Sequence, residues 1–189
     1  MDLILASSSP RRQELLRAAG IAFAVQPANV PEVPQPGEAP KVFSERLARE
    51  KASAIWKAVR APNETFVLGA DTIVVVDEHI LGKPADANDA ARMLKMISGR
   101  AHLVITSVCL LGHGVEDVRS ETTTVNVNSL RDEEIAAYIA TGEPMDKAGA
   151  YAIQGIASRW IPRIEGDYFN VVGLPVALVY RMLSERRAL

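Results

Sequence analysis

Apolar positions along the chain fall in short clusters separated by Gly, Pro, Ser and charged residues, and the clusters differ in period. Leu3-Ile4-Leu5 reads as a strand, and Leu15 and Leu16 stand among polar neighbours in the pattern of a helix that begins near Pro10. Residues 21–25 read as a second strand. Residues 26–40 hold five prolines and form an irregular loop. The near-helical spacing of Val42, Phe43, Leu47, Ala48, Ala52, Ile55 and Val59 predicts a helix over 41–60. Residues 66–76 predict a buried strand, broken in the middle at Gly69-Ala70-Asp71-Thr72, after which Asp77-Glu78 turns the chain into a short strand ending at Leu81. A helix over 87–97 is closed by Ser98-Gly99. Two long strands, 102–111 and 118–128, flank Gly112-His113-Gly114 and form an antiparallel hairpin. A helix over 131–140, a short strand over 161–164 and a helix from Pro175 to Leu183 complete the pattern. Strands and helices alternate but the middle is rich in hairpins, which favours a mixed α/β sheet over a purely parallel one.

Length and composition sharpen this picture. A chain of 189 residues with 48% hydrophobic content suits one domain over 1–189, with room for two lobes around a cleft. Its 21 basic and 23 acidic residues leave a net charge of −2, which gives no general attraction to nucleic acid or to anionic membranes. Positive charge at any anion site must therefore be local. The single cysteine, Cys109, lies in the apolar run Val108-Cys109-Leu110-Leu111 and reads as a buried thiol; it excludes an intramolecular disulfide. No run of 18 apolar residues occurs and the N-terminus has no basic segment followed by a long apolar one, so the expectation is a reduced, cytoplasmic protein.

The residues able to carry chemistry are few. After the first strand come three serines, Pro10, Arg11 and Arg12. Ser9 suits the N-cap and Pro10 the first helical position. A helix N-terminus with two guanidinium groups offers donors and positive charge to a phosphate, although an ordinary strand-to-helix turn gives the same pattern. Asp71 sits between Val67-Leu68-Gly69-Ala70 and Ile73-Val74-Val75-Val76. A carboxylate in so apolar a run must be paired, hydrogen-bonded or bound to a cation. It is a candidate metal ligand or general base, or else a cap at a strand break, and the small Gly69 and Ala70 leave room for a ligand to approach. Lys83, fixed between Gly82 and Pro84, is placed to meet a phosphate or is a surface lysine beside a turn. Lys51 lies in a charged run that otherwise reads as a solvated helix face. Glu32, in the proline-rich loop, is able to bring a second carboxylate to a metal held by Asp71. His79, His102 and His113 have no metal-ligand spacing and read as structural or exposed. Neither a P-loop, nor a dinucleotide fingerprint, nor a G-x-S-x-G elbow is present.

Six blocks together resemble one family, the Maf-like nucleoside triphosphate pyrophosphatases. They are ASSSPRRQELL at 6–16, RLAREKA at 46–52, GADTIVVVDEHILGKPAD at 69–86, SGRAHLVITSV at 98–108, TGEPMDKAGAYAIQG at 141–155 and IEGDYFNVVGLP at 164–175. They run in family order over nearly the whole chain. The resemblance implies an elongated, two-lobed α/β fold with flanking helices and a central cleft, similar to inosine triphosphate pyrophosphatases. It implies hydrolysis of a nucleoside triphosphate to the monophosphate and pyrophosphate with a divalent cation, Mg²⁺ or Mn²⁺. It also implies a homodimer with a link to septum formation.

Residue by residue, Asp71 matches the family's proton acceptor or metal-binding acid. Arg11, Arg12, Lys51 and Lys83 match the phosphate-contacting bases, and Ser8 lies in the phosphate loop. Glu32 matches the last acid of the family's D-I-D-E stretch, here Asn29-Val30-Pro31-Glu32, so two usual carboxylates are absent and the metal expectation rests on Glu32 and Asp71. Arg11, Thr72 and Gln154 match the subgroup acting on dTTP and UTP rather than the sister subgroup that prefers 7-methyl-GTP. Gln154 carries both a donor and an acceptor, as the edge of uracil or thymine requires. Two rival readings remain at this point: the 7-methyl-GTP specificity, and a nucleotide-binding regulator of septum formation in which turnover is incidental.

Overall fold

A computed structural model describes residues 2–60 and 65–186. Its elements are β1 (Asp2–Leu5), α1 (Pro10–Ala18), β2 (Ala24–Val25), α2 (Pro40–Trp56), β3 (Thr65–Val76), β4 (His79–Leu81), α3 (Ala87–Ile97), β5 (Ala101–Gly112), β6 (Val115–Asn126), α4 (Asp132–Ala140), β7 (Arg163–Glu165), α5 (Tyr168–Val172) and α6 (Val176–Glu185). Three short 3₁₀ turns lie between α4 and β7. Among the described residues the strands form one seven-stranded sheet in the order β2-β1-β3-β5-β6-β7, with β4 paired to β3. β1 runs parallel to β2 and to β3, whereas β4 and β7 are antiparallel to their neighbours, so the sheet is mixed. The expected mixed α/β class is what the chain adopts.

The chain divides into two compact units. The first comprises Met1–Thr72, Thr106–Glu121 and Gly173–Leu189; the second comprises Ile73–Ile105 and Thr122–Val172. In the first unit, Ala6, Ala48, Ala52, Ile55, Val67, Cys109 and Leu111 form a buried cluster where α2 lies on the sheet. In the second unit, α3 buries Ala90, Met93, Leu94 and Ile97, the i, i+3, i+4, i+7 face of an amphipathic helix. The Asp86 carboxylate accepts from the Asp89 N–H at 2.8 Å and caps that helix.

Several elements differ from what the sequence pattern predicts. β3 is not broken at Gly69-Ala70-Asp71-Thr72 but runs unbroken for 12 residues. β1 lends its ladder only as far as the Ala6 N–H, which donates to the Leu68 carbonyl. Beyond that point Arg12 donates to Ala70 O and Ser44 to Asp71 O, β4 pairs with Val74–Val76, and β5 is the other neighbour of β3 in the sheet. The strand persists because its backbone groups are satisfied from elsewhere. The strand expected over 21–25 shrinks to Ala24–Val25, since β1 offers β2 only two paired residues. The helix expected over 41–60 stops at Trp56. The hairpin strands are longer at their turn than expected, meeting across His113-Gly114 alone. α5 and the 3₁₀ turns are additions to the pattern, because pieces of three to five residues carry no readable period.

Candidate active site

Gly69 sets the geometry of the first unit's polar cluster. A Cβ there would collide with the Ala48 carbonyl and lie 2.7 Å from the Ala52 N, so the backbone of α2 rests directly on the strand. The space beside Gly69 is thus filled by α2 and is not left for a ligand, contrary to the expectation from its small side chain. On α2, Ala48, Lys51 and Ala52 share a face; on β3, Gly69 and Asp71 share a face. The close approach of helix to strand therefore brings Lys51 onto Asp71.

Lys51 Nζ donates to Asp71 Oδ1 at 2.7 Å and stands 2.6 Å from Glu32 Oε1. Asp71 is 4% exposed and Lys51 8%, whereas the Glu32 side chain is half exposed. One ammonium thus gathers two carboxylates, one deep and one near the surface. Asp71 Oδ2 is buried and has no hydrogen-bond partner. A buried carboxylate oxygen without a donor carries a desolvation cost unless a ligand supplies the contact. Among the described residues no group of three or more His, Cys, Asp or Glu is arranged to hold a metal. Asp71 and Glu32 nevertheless fit a hard divalent cation of the Mg²⁺ kind, which takes one or two carboxylates and completes its shell with substrate phosphates and water.

Arg12 organises the neighbouring segment. Its Nε donates to Gly173 O at 2.8 Å, Nη1 to Ala70 O at 2.9 Å and to Ser7 Oγ at 3.2 Å, and Nη2 to Thr72 Oγ1 at 3.0 Å. Burial lowers the guanidinium's affinity for its proton, and the carboxylates of Asp71 and Glu32 oppose that effect. Thr72 Oγ1 is also hydrogen-bonded with Thr106 Oγ1 at 3.0 Å and donates to Gly173 O at 3.3 Å. Arg12 and Thr72 therefore join the strand-to-helix turn, β3, β5 and the segment before α6. Arg11 occupies the second position of α1 and is half-buried.

Three residues of this cluster were not among the sequence candidates. Ser7 is buried; its Oγ accepts from Arg12 and from the Ser9 N–H. Ser44 braces the Asp71 carbonyl, and Gly173 supplies a carbonyl to both Arg12 and Thr72. Ser7 lies beyond the end of β1, in a run where Leu5, Ala6 and Ser7 are all buried, so strand alternation does not single it out; Ser44 and Gly173 carry no signal either. Ser8, the candidate of the phosphate loop, is exposed. Ser9 stands at the N-cap of α1 with Pro10 following, but its side chain makes no capping bond.

Lys83 and Gln154 belong to the second unit and are both exposed. Lys83 sits on the bend after β4, and the neighbouring Gly82 carbonyl accepts from the Gly149 N–H at 3.0 Å. Gln154 lies in a β-turn closed by the Gly155 N–H donating to Ala152 O at 3.1 Å. No helix among the described residues is long and apolar enough to cross a membrane.

Comparison with known proteins places the chain in a family. The family described as Maf-like protein matches residues 2–186. A protein of Koribacter versatilis named dTTP/UTP pyrophosphatase is 64% identical over 188 residues, which cover 100% of this chain and 95% of that one. A Geobacter metallireducens protein of the same name is 53% identical, covering 99% of this chain and 97% of its own. Among solved structures, the Staphylococcus aureus Ham1 protein superposes with a TM-score of 0.52 at 12% identity, over 98% of this chain and 100% of that one, a likeness of fold.

Proposed function

Because the chain belongs to the Maf-like protein family, we propose that it hydrolyses dTTP and UTP to the monophosphate and pyrophosphate. The observation that carries the reading is Asp71 Oδ2, a buried carboxylate oxygen with no partner whose sibling is fixed by Lys51. Attack of water on the α-phosphorus requires a group to take the water's proton. Asp71 Oδ2 is free for that task, while the Lys51 ammonium fixes the orientation of the carboxylate. A divalent cation held by Asp71 and Glu32 would lower the charge of the triphosphate and acidify a bound water. Arg11, at an N-terminus of α1 that no side chain caps, supplies charge and helix-end donors to the phosphates, with Ser8 beside it. Lys83 adds a second cation for the leaving pyrophosphate, and Lys51 neutralises the acids as charge moves.

Arg12 is assigned a mixed role: its contacts to Gly173, Ala70, Ser7 and Thr72 fix the geometry, and its charge adds to the anion site. Gln154 reads the pyrimidine edge, with Arg11 and Thr72 setting the subgroup. Product analysis tests the reading. UTP should yield UMP and pyrophosphate in the presence of Mg²⁺ or Mn²⁺; UDP as the main product would place attack at the γ-phosphorus. Binding of UTP without release of pyrophosphate would favour a regulator, and equal turnover of 7-methyl-GTP would defeat the pyrimidine assignment.

A further inference from the structure

The second unit holds a set of hydrogen bonds that the reaction chemistry does not use. The β-turn Ala152-Ile153-Gln154-Gly155 is tied down on both sides of Gln154. On one side the Ala152 N–H donates to the Tyr138 hydroxyl at 3.2 Å. On the other the Ile156 N–H donates to the Glu143 carboxylate, at 3.1 Å to Oε1 and 3.3 Å to Oε2. The two anchors are themselves joined, since the Tyr138 hydroxyl donates to Glu143 Oε1 at 2.8 Å. Burial and the adjacent Glu143 both hold the phenol in its protonated, donating form.

Gly155 completes the clamp. A Cβ at that position would fall on the Glu143 carboxylate, so the turn and the carboxylate are in contact and a side chain there would push the carboxylate aside. Tyr138 is 1% exposed, its ring packed edge-on to Trp160 at 5.3 Å, so the anchor is rigid. An exposed side chain on a loose turn loses both rotamer and backbone freedom when it binds; on a turn already fixed the backbone share of that loss is smaller.

We propose that Tyr138 and Glu143 are positioning residues for nucleobase recognition: they clamp the turn that carries Gln154 and so set the discrimination between uracil and cytosine. This rests on the reading of Gln154 given above. Neither residue touches the base; both act through the placement of Gln154.

The test is the ratio of kcat/KM for UTP to that for CTP, followed by pyrophosphate release. It is measured for wild type, Tyr138→Phe, Glu143→Ala, Glu143→Gln, Gln154→Ala and the double variant Tyr138→Phe/Gln154→Ala. Gln154→Ala should lower the ratio about tenfold. Tyr138→Phe should lower it about threefold and Glu143→Ala about tenfold, with the loss falling on KM more than on kcat. Glu143→Gln should recover part of the ratio, because its amide oxygen still accepts from the Ile156 N–H. In the Gln154→Ala background Tyr138→Phe should change the ratio no further, since the two act in series.

If Gln154→Ala lowers the ratio while Tyr138→Phe and Glu143→Ala do not, the positioning role is overturned and the reading of Gln154 stands. Equal effects of Tyr138→Phe with and without Gln154 also overturn it. A Gln154→Ala ratio equal to wild type overturns the base-reading assignment and the proposal with it. Circular dichroism and thermal melting establish that each variant is folded. Should Glu143→Ala fail to fold, Tyr138→Phe, which keeps its ring against Trp160, decides the matter.

Discussion

Asp71 of the first unit and His102 of the second unit are alike in burial and differ in everything that bears on function. Asp71 is 4% exposed and His102 3%, and each has one polar atom with a partner and one without. Asp71 Oδ1 accepts from Lys51, leaving Oδ2; His102 Nε2 is hydrogen-bonded with the Tyr151 hydroxyl at 2.8 Å, leaving Nδ1. Around Asp71, charges converge: the Lys51 ammonium, the Glu32 carboxylate and the half-buried Arg12. His102 has a tyrosine ring packed edge-on at 5.3 Å, and burial pulls its pKa down to about 4, so it is neutral at pH 7. An orphaned buried atom points to a site where the surrounding charges have been gathered at a cost in desolvation. In a neutral surrounding it is a packing detail.

The sharpest way to break this contrast is Asp71→Asn. The change keeps the shape and removes the charge, so UTP turnover should fall by about 10²–10⁴. Pyrophosphate release measures it, with a thermal melt to confirm the fold. Activity within a few-fold of wild type would make Asp71 as inert as His102. Next in size, Gly69→Ala should force α2 off β3, because the clash is with backbone that cannot rotate away. A loss of about 3 kcal/mol in stability is expected, read from the urea midpoint, and turnover should fall as Lys51 leaves Asp71.

The His102 side of the comparison is sharpened by pH. The native pKa of about 4 lies below the ordinary 6.5, so between those values the unfolded chain binds a proton that the native protein refuses. His102 therefore makes no demand on stability above about pH 6.5. As pH falls through the window it costs up to about 1.4 kcal/mol per pH unit. His102→Gln should flatten the acid limb of the Tm-versus-pH curve there; an unchanged limb would show that the imidazole charges freely. The smallest effect concerns Cys109, buried in the same unit as Asp71. Burial pushes its thiol up to about 12, so a thiol reagent at pH 8 should leave the folded protein unlabelled and react fully in urea.

What is legible in the sequence follows from how local its cause is. Asp71 stands out because a lone acid in an apolar run is a local anomaly, whereas Lys51 and Glu32 gain their weight from the family resemblance. The long helices and hairpin strands are readable for the same reason as Asp71: their periods lie within a dozen residues. The unbroken course of β3 is not readable, since its strand neighbours and the bonds from Arg12 and Ser44 to its carbonyls, 58 and 27 residues away, join segments distant in the chain. Gly69 has the pattern of a break and is a contact surface for a helix. Ser7 and Gly173 owe their importance to Arg12, which neither the periodicity nor the resemblance gives as a brace.

The bond from Arg12 to the Gly173 carbonyl spans 161 residues of chain, and it has a consequence for synthesis on the ribosome. Every residue of the second unit precedes Gly173, whereas the first unit needs the segment that starts there. During translation the second unit has its full set of residues first, and the earlier-made β1 and α1 wait. A nascent chain stalled before residue 173 holds Arg12 without its Nε acceptor. The order of emergence thus delays the full bracing of Arg12 until the chain is nearly made, and an arrested fragment has the turn that carries Gln154 but lacks that brace.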